Sequence, residues 1–467
     1  MAAEQQQTRW QGFAAFLKLG WLWKIVIILG IIGSAVACVR YGFEAWGRFL
    51  PVQPNKIVVL GPTSGGENQA WRYIDAGVRA AWEDHEMSGL EVSGGHKLEV
   101  KYLSDGSSLD NSKSDDIERI ASEYCNDPTV LLVMGYVETS VAARALRRYE
   151  ACNLPVVLVA TTSTTLTRSN KDSWHAPILR LPPSNHQQAV HLVDALVDTF
   201  RGVSPEVTTA TLTSHCTLLV LKDKDNREYS EDLSNEFSTA LRKETRLNCD
   251  VRDVAYKDQP LMPLIESGHP NVVILFGMTD KAERLAKEFS RLPSNGSKKP
   301  LVILSDGAAT DQFVSDADAA AECFWGLFPS GVPVDVAKVR GVDPTIPSFY
   351  VYGYDAVGIT KYLIQNARRD GKSANRENLG EEFRRLSQRK VFVRGLAGYY
   401  DFSPDGGLRF LYQDEQAQTS IDQFHFWRVR ANGRKLFWVH RPGRESLALG
   451  CEAKGTKISP KRNRNPA

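Results

Sequence analysis

The sequence lacks a strong net charge and lacks the short motifs that mark common enzymes. Its 57 Lys and Arg side chains nearly balance 55 Asp and Glu side chains, and a formal net charge of +2 gives no reason to expect a nucleic-acid partner. No G-x-S-x-G, H-E-x-x-H, P-loop or paired-carboxylate motif stands out, and the nine His residues do not cluster. We therefore expect neither an enzyme nor a bound cofactor.

Long hydrophobic runs are scarce, and one stands out, from Gly20 to Val39, with Lys24 as its only charge. About 20 apolar residues suffice for a helix that crosses a bilayer. Basic residues before the run predict a single-pass membrane protein whose C-terminal body is extracytoplasmic, either periplasmic or at the cell surface. The small residues Ala35–Ala37, followed by Cys38, leave two alternatives open, a lipoprotein acylated on Cys38 and a cleaved signal peptide. All three place the body in the same compartment.

Cysteine is also scarce, and no C-x-x-C motif or Cys/His cluster suggests a metal site. Six of the seven cysteines follow the apolar run, an even number that permits disulfides in an oxidising compartment. Cys125 and Cys152 end successive predicted helices at one edge of a sheet and could pair. Cys216 and Cys249 each begin a predicted strand. Cys323 and Cys451 are left over, as a third pair or as free thiols, and fifteen connectivities are open.

Beyond a linker, short apolar strands alternate with amphipathic helices, which predicts an α/β fold with helices on both faces of parallel sheets. The turn formers Leu181–Asn185 interrupt this pattern and mark a first crossing into a second doubly wound lobe. We predict residues 1–53 as an N-terminal cytoplasmic segment, membrane anchor and linker, 54–183 as lobe 1, 184–335 as lobe 2, 336–392 as a return to lobe 1, 393–445 as a return to lobe 2, and 446–467 as a basic tail.

Two strands in the first lobe end in small polar residues. Gly135–Ser140 follows the apolar run Val130–Met134, and Ala160–Ser163 follows Pro155–Val159. If both strands belong to one parallel sheet, their carboxyl ends lie side by side, where open α/β sheets bind ligands. Hydroxyls and free backbone N–H groups at such a place could hold a carboxylate. The pattern therefore favours ligand binding over catalysis.

Several segments together resemble one protein family over roughly Lys56–Val439. They are Ile57–Pro62, Val133–Gly135 with Thr139 and Ser140, Pro155–Thr167, Asp223–Asp225 with Tyr229, Ser305–Gly307, and Tyr354–Val357. In this order they resemble the type I periplasmic binding proteins, specifically the branch that binds the branched-chain amino acids leucine, isoleucine and valine. The resemblance implies a clamshell of two lobes that close over a small ligand.

The resemblance also implies five ligand-binding residues. Hydroxyls at Thr139 and Thr162 would hold the ligand carboxylate, and the Ala160 carbonyl and the Asp306 carboxylate would receive its ammonium group. Tyr229 would cover the ligand when the lobes close. Each has an ordinary structural interpretation as well: Thr139 and Thr162 as helix caps, Asp306 as a turn residue and Tyr229 as a packing residue.

Glu138, beside Thr139, departs from this pattern. Pointing inward, its carboxylate would repel an anion and select a cationic or neutral ligand; alternatively it faces solvent or a basic residue. The resulting hypothesis is a membrane-anchored extracytoplasmic solute-binding protein for a small amino-acid-like or amide ligand, working with an ABC permease or a membrane sensor. The alternative is a ligand-free regulatory or scaffold ectodomain of the same fold that binds another envelope protein.

Overall fold

The computed structural model describes residues 55–62, 69–92, 96–106, 114–168, 177–202, 214–257, 259–291, 299–317, 321, 324–329, 341, 348–369, 371–388, 391–413, 416, 420, 424–432 and 435–440. The chain divides into two compact units, Met1–Gln53 and Pro54–Ala467. The predicted membrane anchor, Cys38, Cys323, Cys451 and the basic tail lie outside the described residues. Within the described ranges, every helix is too short or too polar to span a membrane.

The first lobe is built on a parallel sheet. Its strands and helices are β1 (Asn55–Gly61), α1 (Gln69–Asp84), a short 3-10 helix (Met87–Gly89), β2 (Leu98–Ser104), α2 (Ser114–Asn126), β3 (Val130–Gly135), α3 (Thr139–Ala151), β4 (Val156–Leu158), α4 (Thr165–Arg168) and β5 (Ile178–Arg180). The strand order is β2-β1-β3-β4-β5. Every residue of β3 is buried because helices cover both faces of the sheet, which explains its unbroken apolar sequence.

The second lobe repeats this arrangement. Its first part comprises α5 (Asn185–Gly202), β6 (Ser214–Asp223), α6 (Arg227–Lys243), β7 (Leu247–Tyr256), α7 (Met262–Gly268), β8 (Val272–Phe276), α8 (Thr279–Ser290), β9 (Leu301–Leu304), α9 (Asp311–Asp316) and β10 (Trp325–Pro329). One hydrophobic core packs α5 and α6 against one face of this sheet, and a second packs α7, α8 and α9 against the other. The predicted α/β architecture with helices on both faces is confirmed.

The chain then returns to the first lobe with the long helix α10 (Ser348–Arg369), α11 (Arg376–Gln388) and a small antiparallel sheet of β11 (Val393–Arg394), β12 (Tyr399–Phe402) and β13 (Leu408–Tyr412). Helix α10 packs closely on α1, because Gly77 and Gly353 let each helix approach the backbone of the other. A Cβ atom at either position would clash with a backbone carbonyl.

A final hairpin, β14 (Phe424–Asn432) and β15 (Lys435–His440), completes the lobe 2 sheet in the order β15-β14-β10-β9-β8-β6-β7. Asn432 pairs with Lys435, so the strands meet where the Asn-Gly sequence predicts a hairpin.

The predicted return to lobe 2 at residue 393 needs correction. Val393, Tyr400, Phe402 and Leu411 are buried in the same core as α1 and α10 of lobe 1. The chain therefore crosses to lobe 2 only after β13. Short antiparallel strands resemble one another in sequence, and only their buried partners distinguish those that pack on lobe 1 from the hairpin that extends the other sheet.

Two disulfides join neighbouring elements of the fold. Cys125 and Cys152 link the end of α2 to the residue after α3, with their Cα atoms 5.7 Å apart. Cys216 and Cys249 occupy opposite positions on the paired strands β6 and β7, with a Cα–Cα distance of 4.5 Å. Both pairings suggested by the sequence are therefore present.

Candidate functional site

The two polar loops of the first lobe lie at neighbouring strand ends. Gly135 of β3 pairs with Leu158 of β4 in parallel register, and the Val159 amide donates a hydrogen bond to the Gly135 carbonyl at 3.0 Å. Thr139, Ala160 and Thr162 follow within a few residues, and all three are buried. The sheet therefore places these residues at one edge, as the sequence predicts.

Thr139 is the first residue of α3, and Glu138 occupies the position before it without a side-chain hydrogen bond to the helix end. The first amides of a helix have no intrahelical acceptor, and the helix dipole favours negative charge there. The start of this 13-residue helix can therefore receive a carboxylate.

The loop after β4 is tied to the second lobe. The Thr164 amide and hydroxyl donate to the two oxygens of Asp232 on α6, at 2.9 and 2.7 Å. The Asn185 amide at the start of α5 donates to the Thr162 carbonyl at 2.7 Å. Thr161 is buried, and its hydroxyl has no hydrogen-bond partner among the described residues. This loop of lobe 1 is thus hydrogen-bonded to lobe 2. It also carries the Thr161 hydroxyl, which has no hydrogen-bond partner among the described residues.

Asp306 and Tyr229 meet at the carboxyl end of the lobe 2 sheet. The Tyr229 hydroxyl, in the first turn of α6, donates a hydrogen bond to Asp306 Oδ1. Gln188 Nε2 donates to the same oxygen at 2.8 Å. Asp306 is 4% exposed and forms no ion pair with a Lys or Arg of the described residues. Burial raises the pKa of the Asp306 carboxyl, although the hydrogen bonds from Tyr229 and Gln188 counteract part of that increase.

The first turn of α5 connects the two halves of this site. Asn185 contacts Thr162 and, one turn later, Gln188 contacts Asp306. Helix α3, which begins with Thr139, also packs against α6, which carries Tyr229. No hydrogen bond in the described parts of the chain links the Thr139 side chain to the other predicted residues. The structure therefore groups Thr162, Tyr229 and Asp306 through α5, places Ala160 in the same loop, and places Thr139 on the adjoining strand end.

Further contacts between the lobes lie around Thr162, Tyr229 and Asp306. Burial and then the charges of Asp355 and Asp306 raise the pKa of the Tyr352 hydroxyl on α10, so Asp306 of lobe 2 lies near a lobe 1 helix. The Tyr73 hydroxyl of α1 donates a hydrogen bond to Asp311 of α9 at 2.9 Å. These contacts place the carboxyl ends of the two sheets opposite each other.

Two further acidic residues face Glu138. Burial raises the pKa of the Glu138 carboxyl, and the charges of Asp105 and Asp223 raise it further. Asp105 follows β2 in lobe 1, and Asp223 is the last residue of β6 in lobe 2. Acids of both lobes therefore lie near Glu138, which is half-buried. Within the described ranges, no group of three or more acidic, His or Cys side chains could hold a metal ion.

Sequence reasoning missed Asp105, Asp223 and Gln188 as site residues. Asp105 and Asp223 each stand at the end of a strand, a signal available in the sequence, because acids at that position reach the carboxyl edge of a parallel sheet. Gln188 carries no such signal. Trp71 packs against the lobe 1 core and covers Gly61, where a Cβ atom would meet its indole ring.

No protein-family model matches the sequence, and no curated protein matches it. Several solved structures are similar to this chain. The leucine-binding protein LivK of Thermotoga maritima MSB8 has a TM-score of 0.58 and 18% identity, covering 82% of this chain and 97% of that protein.

Two other similar structures carry different ligands. LivJ of Streptococcus pneumoniae str. Canada MDR_19A, in complex with isoleucine, has a TM-score of 0.56 and 14% identity, covering 83% of this chain and 100% of that one. An ABC-transporter solute-binding protein of Rhodopseudomonas palustris BisB5, in complex with 3,4-dihydroxybenzoic acid, has a TM-score of 0.58 and 15% identity, covering 83% and 96%. At these identities the comparison establishes the fold, and the ligand-binding roles of the five residues stay predictions.

Proposed function

We propose that this chain, which has the type I periplasmic binding protein fold, is an extracytoplasmic solute-binding protein that captures a small ligand between its lobes. The ligand is amino-acid-like, with an ammonium group. The observation that carries this proposal is Asp306. This carboxylate is 4% exposed and stands at the carboxyl edge of a parallel sheet. Its hydrogen-bond donors among the described residues are all neutral, namely the side chains of Tyr229 and Gln188 and the backbone amides of Asp306 and Gly307.

A buried carboxylate is costly unless a cation compensates it. These neutral donors stabilise the Asp306 charge only in part, because burial still raises its pKa. A ligand ammonium beside Asp306 would supply the missing charge, and a hydrogen bond between charged groups contributes about 1.5–3 kcal/mol. This is the role that the family resemblance suggests for Asp306.

The opposite edge suits the other end of such a ligand. The start of α3 at Thr139 offers backbone amides, and the Thr161 hydroxyl is buried without a partner among the described residues. Thr162 stands beside it in the same loop. A carboxylate or an amide oxygen would satisfy these donors. An α-amino acid or a related amide therefore fits both sides of the site.

The surrounding charges favour a cationic or neutral ligand over an anionic one. Glu138, Asp105 and Asp223 are acidic, and Glu138 has a raised pKa because of burial and its acidic neighbours. A carboxylic acid without an ammonium group would be repelled at this place. The benzoate-type ligand in the Rhodopseudomonas protein thus suits this site less well than an amino acid does.

The cellular role belongs to the same proposal. The apolar run Gly20–Val39 would anchor the protein in the membrane with its body extracytoplasmic, and a separate ABC permease or membrane sensor would receive the ligand or the signal. The alternative, a ligand-free scaffold that binds another envelope protein, keeps the fold but assigns no purpose to the buried Asp306 carboxylate.

Differential scanning fluorimetry of the full chain tests this proposal. The probes are L-leucine, L-lysine, 4-aminobutyrate and benzoate. A ligand at 100 times its dissociation constant stabilises the folded state by about 2.7 kcal/mol. We expect at least one amine-bearing probe to raise the melting temperature of the natural chain more than that of Asp306→Asn.

Asp250→Asn is the matched control, because Asp250 is an exposed acid of the same lobe. It should respond like the natural chain. A shift by benzoate alone, an equal shift in Asp306→Asn, or no shift with any probe would contradict the proposal.

A further inference from the structure

A second recess lies in lobe 1, between the C-terminal halves of α10 and α11. It is open to solvent on one side, and its cavity volume is about 130 Å³. Its lining includes Tyr362, Asn366 and Arg369 from α10, and Glu382, Arg385 and Leu386 from α11. This volume is below the roughly 300–1,000 Å³ of typical ligand pockets, so only a small compound fits.

The recess contains polar groups that the protein itself leaves unmatched. Asn366 is 7% exposed, and its amide oxygen has no hydrogen-bond partner among the described residues. Buried amide oxygens are nearly always hydrogen-bonded, so this one calls for a donor from outside the chain. Arg369 is exposed and forms no ion pair with any described acid. One donor and one anionic group are therefore missing.

The other lining residues define the rest of the surface. Glu382 is almost fully buried and forms an ion pair with Arg385, whose guanidinium donates a hydrogen bond to Oε1 at 3.2 Å; its second oxygen accepts no hydrogen bond from the described residues. Leu386 and Tyr362 supply apolar surface. A cation near Glu382 and Asn366, an anion at Arg369 and a short apolar body between them would complement all of these groups.

This recess is distinct from the site between the lobes. Tyr352 lies near Asp306, and Asn366 follows it by fourteen residues on the same continuous helix. At about 1.5 Å per residue, the two positions are about 21 Å apart along α10. A ligand in the recess cannot touch Asp306.

From the unmatched groups we infer a second ligand site in lobe 1, which binds a small zwitterion with a short apolar body. The ammonium group donates to Asn366 and Glu382, and the carboxylate pairs with Arg369. This inference goes beyond the proposed capture site and does not depend on it.

Saturation-transfer difference NMR on the full-length chain tests the second site with three probes of similar shape. L-leucine carries both charges, 4-methylpentanoate lacks the ammonium group, and 3-methylbutylamine lacks the carboxylate. The measurements use Asp306→Asn, in which any leucine binding at the proposed interlobe site is expected to be weakened. We expect leucine to bind this variant, and each singly charged probe to bind at least fivefold more weakly.

Adding Asn366→Leu, a change of similar volume, should weaken leucine binding to Asp306→Asn roughly tenfold, the loss expected for one hydrogen bond to a charged group. Arg369→Gln, at an exposed position where folding is not at risk, should weaken it by a similar factor. Lys372→Gln, an exposed charge change just beyond α10, should have no effect. Circular dichroism verifies that each variant is folded.

The outcomes separate the two sites. Leucine binding that survives Asp306→Asn and is lost with Asn366→Leu or Arg369→Gln supports the second site, whether or not the interlobe site binds leucine. Absence of leucine binding to Asp306→Asn, equal binding of all three probes, or binding that persists in both recess variants overturns it. Loss of binding in Asp306→Asn would at the same time support the interlobe site.

Discussion

Asp306 has a raised pKa because it is buried, and this determines how ligand binding depends on pH. In the window between the ordinary carboxyl pKa and the raised one, the folded protein holds a proton that the unfolded chain releases. Stability therefore falls as the pH rises through this window. An ammonium ligand needs the ionised carboxylate, so its affinity changes in the opposite direction and rises with pH.

We therefore predict that affinity for an amine-bearing ligand decreases as the pH falls below the raised pKa of Asp306, by up to about tenfold for each pH unit. Isothermal titration calorimetry between pH 4.5 and pH 7.5 measures this. Asp306→Asn should bind weakly throughout and lose the pH dependence. An affinity that is constant over this range would show that Asp306 does not pair with the ligand.

At Glu138, we expect one substitution to change protein stability and ligand affinity in opposite directions. Its carboxylate faces Asp105 and Asp223, and burial together with both charges raises its pKa. We expect Glu138→Gln to stabilise the folded protein by about 0.5–1 kcal/mol at neutral pH, because it removes repulsion between acids. The same change should weaken a cationic ligand, because it removes an attractive charge.

Urea denaturation and ligand titration on one variant measure both effects of Glu138→Gln. Glu228→Gln is the control, since Glu228 is an exposed acid in the first turn of α6. Lower stability in Glu138→Gln would indicate that the Glu138 carboxylate makes a favourable contact that outweighs its acidic neighbours.

At the scale of elements, sequence patterns predicted the buried strands and long helices better than the short antiparallel strands. The residues of β3 are apolar throughout because both faces of the sheet are covered. The strands β11 to β13 carry no signal for the core on which they pack. Their position depends on tertiary contacts of Tyr400 and Phe402 with lobe 1.

The site residues also differ in whether the sequence predicts them. Thr139, Ala160 and Thr162 are accessible to sequence reasoning, because each follows a recognisable buried strand. Gln188 bonds Asp306 only because the first crossing carries α5 to the end of the lobe 2 sheet. A partner fixed by the packing of two lobes leaves no local pattern, so it could not be predicted from neighbouring residues.

Arg376 anchors α11 to the lobe 1 sheet. Its guanidinium donates to the carbonyls of Tyr124, Cys125, Asp127 and Val130, around the turn before β3. Truncation removes one donor from each of these carbonyls, and the Asp127 carbonyl keeps the Val130 amide as a donor at 3.2 Å. A buried polar group left without a partner costs about 1–3 kcal/mol.

We predict that Arg376→Met lowers the free energy of unfolding by about 2–3 kcal/mol, because water can reach some of the freed carbonyls. Urea denaturation measures the loss. Arg384→Met is the matched control on the same helix, because Arg384 makes no hydrogen bond within the described residues, and it should change stability by less than about 0.5 kcal/mol. Equal effects of the two variants would mean that the carbonyl contacts contribute little.

At the scale of the whole two-lobed body, the proposed capture of a ligand requires the lobes to open and close. Contacts that exist only when the lobes are together stabilise the closed state and slow ligand release. The hydrogen bond from Tyr73 of lobe 1 to Asp311 of lobe 2, at 2.9 Å, is such a contact. It lies on exposed surface, away from the buried Asp306, so removing it should alter closure without altering the ligand contacts.

We therefore predict that Tyr73→Phe increases the ligand dissociation rate about twofold to fivefold, as expected for the loss of about 0.5–1 kcal/mol from the closed state. The association rate should stay unchanged, because the open form loses no contact. Stopped-flow tryptophan fluorescence with a ligand found by fluorimetry separates the two rates. Tyr350→Phe is the control, since its hydroxyl makes no hydrogen bond in the described part of lobe 1. A slower association with unchanged dissociation would place the Tyr73 contact in the open form instead.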